Sequence, residues 1–341
     1  MEFDHGGYAG NHRILLDFSS NVNPLPFPPK VKRLFKGSIL EELRVYPDPF
    51  CSELTKIVSK RLNVKETEIL FGNGSTELIY LITKVVKPKK VLIFEPTFSE
   101  YNKASIIEGA SVTRLYMGFK PDFSIPSYKT DEDIDLVFLC HPNNPTGNFL
   151  IEERNRIFEL PSRYYVIDEA FIDFAEDIED RSFIPFLIKE KRLIVLRTFT
   201  KFFPLAGCRI GYLVANEELI ERLKKAQPPW TVNTIAMVLA KLFIDDEEFA
   251  RNTLQLIRKE RKYLERELSK LGFTVFPSTT NFLLIKLKDG QSSKELKWKL
   301  LNKGILIRDC SNFFGLGENF IRVCVKRRKE NKRLIEALRG I

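Results

Sequence analysis

The segment Arg197-Thr-Phe-Thr-Lys-Phe-Phe-Pro-Leu-Ala-Gly-Cys-Arg-Ile-Gly-Tyr212 holds one lysine placed for covalent chemistry. Lys201 follows two hydroxyl residues, Thr198 and Thr200, and stands eight positions before Arg209. An amine there can condense with an aldehyde to a Schiff base. The two hydroxyls and the guanidinium can hold a phosphate beside it. An aldehyde carried on a phosphorylated ring is pyridoxal 5′-phosphate (PLP). Phe199, Phe202 and Phe203 surround the lysine with apolar bulk, and desolvation lowers an ammonium pKa.

Such a centre also needs an acid against the pyridine nitrogen, a phosphate cup, a partner for the phenolic oxygen and a ring-stacking group. Asp168 ends the run Tyr-Tyr-Val-Ile-Asp, where a strand edge can present a carboxylate that keeps that nitrogen protonated. Gly72-Asn-Gly-Ser-Thr-Glu77 is a glycine turn opening a helical pattern. Its Gly74, Ser75 and Thr76 amides can receive a phosphate, and Ser75 or Thr76 can cap the helix. Asn144, in Pro142-Asn-Asn-Pro-Thr-Gly147, can bond the phenolic oxygen, although the same residues also make a plain Asn-Pro turn. Phe98 can stack on the ring, with Tyr101 as the alternative.

Elements that would position these residues are legible as alternation. Val91–Phe94, Leu136–Cys140, Tyr165–Asp168 and Leu193–Arg197 are short, nearly continuous apolar runs, as in strands covered on both faces. Helical patterns lie between them, which predicts an α/β fold with a mainly parallel sheet. Near Pro228-Pro-Trp230 the pattern changes to a long helical stretch over 233–271. Strands at Phe282–Leu287, Ile305–Arg308 and Ile321–Val325 and helices at 292–302 and 328–339 follow, a smaller α+β domain. The expected organisation is an arm over 1–30, packing with the small domain or the active site, a large domain over 31–230 and a small one over 231–341.

The chain's 341 residues carry a net charge of +9, but basic residues alternate with acids, as in Arg258-Lys-Glu-Arg-Lys-Tyr-Leu-Glu-Arg-Glu267. That is a solvated helix face and argues against nucleic-acid binding, while a positive field suits an anionic small molecule. The cysteines, at 51, 140, 208, 310 and 324, form no pair with metal-ligand spacing. No apolar run reaches the roughly 18–20 residues that span a bilayer, and no export signal opens the chain. The expectation is a cytoplasmic protein without metal or membrane association.

Asn144-Pro-Thr-Gly147, Asp168-Glu-Ala, Thr200-Lys201 and Gly207-Cys-Arg209-Ile-Gly211, in that order and spacing, resemble the fold-type-I PLP enzymes of the aspartate aminotransferase superfamily (class I/II). The resemblance spans essentially the whole chain. It implies the PLP-dependent transferase fold, a small domain made from both termini, and a homodimer with active sites at the subunit interface. It also implies that a tyrosine from the neighbouring subunit reaches the PLP phosphate; Tyr46, in Val-Tyr-Pro-Asp, matches that motif.

Within the superfamily, the segments around His5-Gly-Gly, Asp17-Phe-Ser-Ser-Asn-Val-Asn-Pro24, Asp168–Phe174, Pro229-Trp-Thr-Val-Asn233 and Ile305–Phe313 look like the threonine-phosphate decarboxylases of cobalamin biosynthesis. The next resemblance is to the histidinol-phosphate aminotransferases, which implies a transaminase using 2-oxoglutarate as the alternative. The first implies decarboxylation of L-threonine O-3-phosphate to (R)-1-amino-2-propanol O-2-phosphate. Arg322 matches the family's carboxylate-binding arginine. Arg308 is the expected contact for the substrate phosphate or for a shared anionic pocket, with His5 and Asn23 from the arm. Phe171 stands where aminotransferases of the superfamily commonly carry a tyrosine that donates to the phenolic oxygen. A third class, a PLP-binding regulatory module, is disfavoured because such modules usually carry an attached DNA-binding domain.

Overall fold

The computed structural model describes residues 5–8, 10, 12–35, 37, 39–118, 123, 125 and 133–341. Residues 1–4 of the expected arm lie outside the described residues. The arm contributes a two-residue strand, β1 (Leu16–Asp17). The main sheet follows: β2 (Ile69–Gly72), β3 (Lys90–Glu95), β4 (Ser111–Tyr116), β5 (Ile134–Cys140), β6 (Ser162–Asp168), β7 (Leu193–Thr198) and β8 (Gly211–Ala215). Its order is β2-β8-β7-β6-β5-β3-β4, and only the pairs made by β8 are antiparallel.

All six positions of β7 are buried, which is why it reads as a continuous apolar run. The apolar pattern finds β3, β5, β6 and β7 and overlooks three others. β2 has only four residues, β4 is a sheet-edge strand with its ends exposed, and β8 runs against its neighbours directly after the lysine segment.

The smaller sheet holds β9 (Thr274–Val275), β10 (Phe282–Lys286), β12 (Arg308–Asp309) and β13 (Phe320–Cys324), in the antiparallel order β12-β13-β10-β9. The intervening β11 (Ile305–Leu306) leaves that sheet and pairs in parallel with β1. The single strand expected over Ile305–Arg308 is thus two strands with different partners, and the arm is stitched to the C-terminal region by backbone hydrogen bonds. The long helical pattern is likewise two helices, Thr234–Ile244 and Glu247–Lys270, with Asp246 capping the second by accepting from the Phe249 amide at 3.0 Å. Ala236, Leu239, Ala240 and Phe243 of the first helix pack in one core with Val195 and Val214 of the large sheet.

The expected cap of the Gly74–Val86 helix is also corrected. Asn73 holds the cap position with no side-chain bond, and Glu77 accepts from the Asn73 amide instead of Ser75 or Thr76 closing the turn.

Beneath the carboxyl ends of β6 and β7, Arg197 donates through Nε to Glu169 Oε2 at 2.9 Å and through Nη2 to Ser182 Oγ at 2.9 Å. Glu169 is fully buried and Arg197 nearly so. Truncating one member of a buried pair strands the other charge, so Glu169→Ala should lower unfolding free energy by about 3–5 kcal/mol. Urea denaturation checks this, and a loss under about 1 kcal/mol would contradict the brace.

His141 is fully buried between Phe149, at 4.6 Å, and Phe183, at 5.3 Å, and neither ring nitrogen has a partner among the described residues. Burial, with Arg181 and Arg154 nearby, pushes its pKa down to about 3. The unfolded chain protonates this histidine near 6.5, so its contribution is intact above that pH and is lost as pH falls toward 3. The stability-versus-pH slope between pH 6 and 4 should flatten in His141→Phe; an unchanged slope would contradict the assignment.

Candidate active site

The carboxyl ends of β5, β6 and β7 bring Asn144, Asp168 and Lys201 to one edge of the sheet, and β2 delivers Gly74 on the same side of the β2–β8–β7 ribbon. Lys201 lies on the turn after β7, half-buried. Burial depresses its ammonium to about 8, with the cationic Arg322 and Arg209 adding to the effect and Asp168 opposing it. A fraction of this amine is therefore uncharged near neutral pH, the form that acts as nucleophile or base.

Asp168 is buried, and burial raises its carboxyl pKa. Two donors oppose that rise: Tyr101 Oη to Oδ2 at 2.7 Å, and the Ala170 amide to Oδ1 at 2.9 Å. Tyr101 is fully buried and is thereby fixed as a donor to Asp168, which removes it as the alternative stacking ring. Phe98 is half-buried beside it, 5.7 Å away and edge-on.

The expected phosphate cup would draw on two segments. Gly74 has φ +79°, and a Cβ built there would stand 2.5 Å from Arg209 Nη2. A Cβ on Gly211 would meet the Ser75 amide nitrogen at 2.7 Å. Two glycines thus let the Arg209 guanidinium and the β8 backbone close on the first turn of the helix, whose amides lack intrahelical acceptors. Arg209 itself has φ 57°, a strained conformation for a non-glycine residue, and donates to the Ala206 carbonyl at 3.1 Å. Thr198 donates to the Ile210 carbonyl at 3.0 Å and accepts from the Thr200 amide at 3.2 Å. Its one hydrogen is committed to the backbone. Thr200, 2.9 Å from it, keeps a hydroxyl that can turn to an anion.

Arg322 on β13 is buried, donating to Asn144 Oδ1 and, through Nη2 at 2.9 Å, to the Ser19 carbonyl of the arm. Its Nε has no partner among the described residues, and burial pushes its pKa down to about 10. Arg308 is its register partner on β12, so both arginines share a face. Arg308 donates to the Asp309 carbonyl at 2.6 Å and to Asn312 Oδ1 at 2.8 Å.

The arm residues depart from expectation. Asn23 has its amide fully used, donating to the Phe202 carbonyl at 2.5 Å and Thr253 Oγ1 at 2.8 Å, and accepting from the Leu25 amide at 2.9 Å. It is a structural clamp rather than a substrate contact. Asn21, two residues earlier, is the buried asparagine whose Oδ1 has no partner among the described residues, and nothing in the sequence separates the two. His5 bonds Glu100 at 2.9 Å and lies 5.6 Å from the Phe98 ring, so it docks the arm beside that ring and not against Arg308. Phe171 is buried edge-on to Phe282 at 5.0 Å, and Arg322 lies over the same Phe282 ring. Tyr46 is 79% exposed and stacks on Trp230 at 4.6 Å.

The model of the family "Aminotransferase class I and II" matches residues 13–338. The chain belongs to that family. It is 38% identical, over 99% of its length and 94% of the relative's, to a protein of Caldanaerobacter subterraneus provisionally named threonine-phosphate decarboxylase. It is 34% identical to the threonine-phosphate decarboxylase of Salmonella typhimurium, over 96% of this chain and 91% of that one. Among solved structures, the histidinol-phosphate aminotransferase of Clostridium acetobutylicum superposes with TM-score 0.84 at 33% identity, covering 96% of this chain and 98% of that chain.

PLP fits this constellation: an amine of lowered pKa, a buried carboxylate and a glycine-floored cup under a guanidinium lie at one sheet edge. A Gly74→Ala substitution places a methyl against Arg209 and strains a positive φ. It should raise the Kd for PLP at least tenfold in a fluorescence titration; an unchanged Kd would remove the cup from this turn.

Proposed function

We propose that this protein decarboxylates L-threonine O-3-phosphate, using PLP, to (R)-1-amino-2-propanol O-2-phosphate, the reaction that serves cobalamin biosynthesis. The observation that carries the choice is Phe171. The buried ring has no hydroxyl and packs edge-on to Phe282, leaving Asn144 as the polar side chain available to a phenolic oxygen, and Asn144 is itself bonded to Arg322. The decarboxylase relatives and the pair of arginines on β12 and β13 support the same reading.

Bound PLP supplies an electron sink for the bond broken at the substrate α-carbon. The chain's residues arrange everything else. Lys201 carries the cofactor and, with its pKa near 8, returns a proton to the α-carbon after CO₂ leaves. Asp168 keeps the ring nitrogen protonated. Arg209, Thr200 and the amides of Gly74, Ser75 and Thr76 hold the cofactor phosphate, with Thr198 buttressing Thr200. Phe98 covers the ring. Arg322 would offer its Nε, unpartnered among the described residues, and its fork to the substrate carboxylate and so hold the substrate's orientation. Arg308 sits one strand away for the substrate phosphate.

The protein works as a homodimer in this reading. Leu40, Leu43, Val45, Tyr46, Phe50 and Trp230 are exposed, and Tyr46 and Trp230 stack on each other, apolar surface suited to a second copy. Tyr46 then reaches the cofactor phosphate of the partner. The cytoplasm is the proposed compartment; no helix among the described residues is long and apolar enough to cross a membrane.

Purified protein with PLP and L-threonine O-3-phosphate, without any 2-oxo acid, should release CO₂ stoichiometrically with aminopropanol phosphate. Turnover that appears only with added 2-oxoglutarate would instead establish the histidinol-phosphate-type aminotransferase. Lys201→Ala should lose both CO₂ release and the visible absorbance of the lysine-bound cofactor.

A further inference from the structure

Asp168 presents a physical problem that the cofactor chemistry alone does not solve. It is 3% exposed, and a carboxylate so deep in protein tends to take up a proton and become neutral. A neutral acid cannot hold a proton on a neighbouring ring nitrogen. The groups acting on Asp168 are Tyr101 from the Glu100–Ile107 helix, the Ala170 amide, Lys201 after β7, Glu169 beside it and Cys140, its register partner on β5. Lys201 is half-uncharged near pH 8, Glu169 is engaged with Arg197, and the Cys140 thiol is held neutral by burial. Tyr101 is therefore the side-chain donor that favours the ionised form without itself depending on pH in the neutral range.

Its placement is built for that purpose. The ring is fully buried and stacks on Phe138 at 4.9 Å and 10°, and its hydroxyl reaches Asp168 Oδ2 at 2.7 Å. The Tyr101 carbonyl accepts from Ser105 Oγ at 2.7 Å, inside the helix. The ring cannot swing, so the hydroxyl is pre-aimed at one carboxylate oxygen while the Ala170 amide holds the other at 2.9 Å.

We propose that Tyr101 is a positioning residue that keeps Asp168 ionised and aimed, and so sets how strongly the site holds a protonated pyridine nitrogen. The inference rests on Asp168 being the ring-nitrogen partner. Hydrogen bonding to the charged form of a buried acid stabilises that form. Loss of the hydroxyl raises the acid's pKa and shifts the shared proton from the ring nitrogen toward the carboxyl.

The test is Tyr101→Phe, which keeps the ring and its stacking. In the apoprotein, the carboxyl stretch assigned to Asp168 by infrared difference against Asp168→Asn should titrate at least one pH unit higher than in wild type. The Kd for PLP should rise about tenfold, and kcat should fall at least tenfold while KM for threonine O-3-phosphate changes less than threefold. Site-specific 3-fluorotyrosine at position 101, a stronger donor of nearly the same size, should move the carboxyl titration below the wild-type value. An unmoved titration in both variants, with only a lower melting temperature in Tyr101→Phe, would overturn the proposal and leave Tyr101 a packing residue. Full PLP affinity in Asp168→Asn would sink the Asp168 assignment itself. That failure is distinguishable, because the carboxyl titration would still respond to fluorotyrosine.

Discussion

Charge buried at the carboxyl ends of β6 and β7 constrains the rest of this structure. Asp168 and Glu169 are adjacent and both buried, with Arg197 next to Thr198 on the neighbouring strand. Two carboxylates side by side in low dielectric are unfavourable unless each has its own compensation. The alternation of a strand supplies it by sending them to opposite faces. Glu169 turns to Arg197 and Ser182, while Asp168 turns to Tyr101 and the cofactor side. The brace fixes the ends of both strands, and the turn that leaves β7 then carries Lys201 to a fixed place.

The second organising contact joins the two sheets. Arg322 on β13 donates to Asn144 on the large unit and to the Ser19 carbonyl on the arm. Nearby, the Thr279 amide and hydroxyl both donate to the Gly147 carbonyl, at 2.8 and 3.0 Å, and a Cβ on Gly147 would collide with Ser278. Three separate segments therefore meet around Asn144–Gly147. The Arg322 guanidinium is thereby oriented by the Asn144 loop and by the arm, and in the proposed function this would couple substrate capture to the seating of the ring.

The lysine segment, the aspartate and the glycine turn stand out in the sequence because each chemical demand restricts residue type sharply. A Schiff base needs an amine, a close-packed phosphate cup needs glycine, and a parallel strand covered on both faces needs a continuous apolar run. The less legible features depend on partners distant in sequence. Asn21 and Asn23 sit in one short motif with the same side chain, yet one is a fully bonded clamp and the other keeps an oxygen unpartnered among the described residues. His5 reads as a substrate ligand until Glu100, ninety-five residues on, is found against it. Tyr101 reads as a ring for stacking until helix and sheet are assembled and its hydroxyl meets Asp168.

The sequence by itself determined the fold class and singled out the lysine and the anion-binding residue types of the proposed site, since these follow from local periodicity and from residue types with few substitutes. Tertiary structure decided how those groups are tuned. It split Ile305–Arg308 between two sheets, tied the arm to β11, gave Asp168 its phenolic donor and set Arg322 against Asn144. The physical reason is range. Propensity and patterning act over a few residues, whereas burial, pKa and hydrogen-bond direction are set by whatever the fold brings to within about 3 Å.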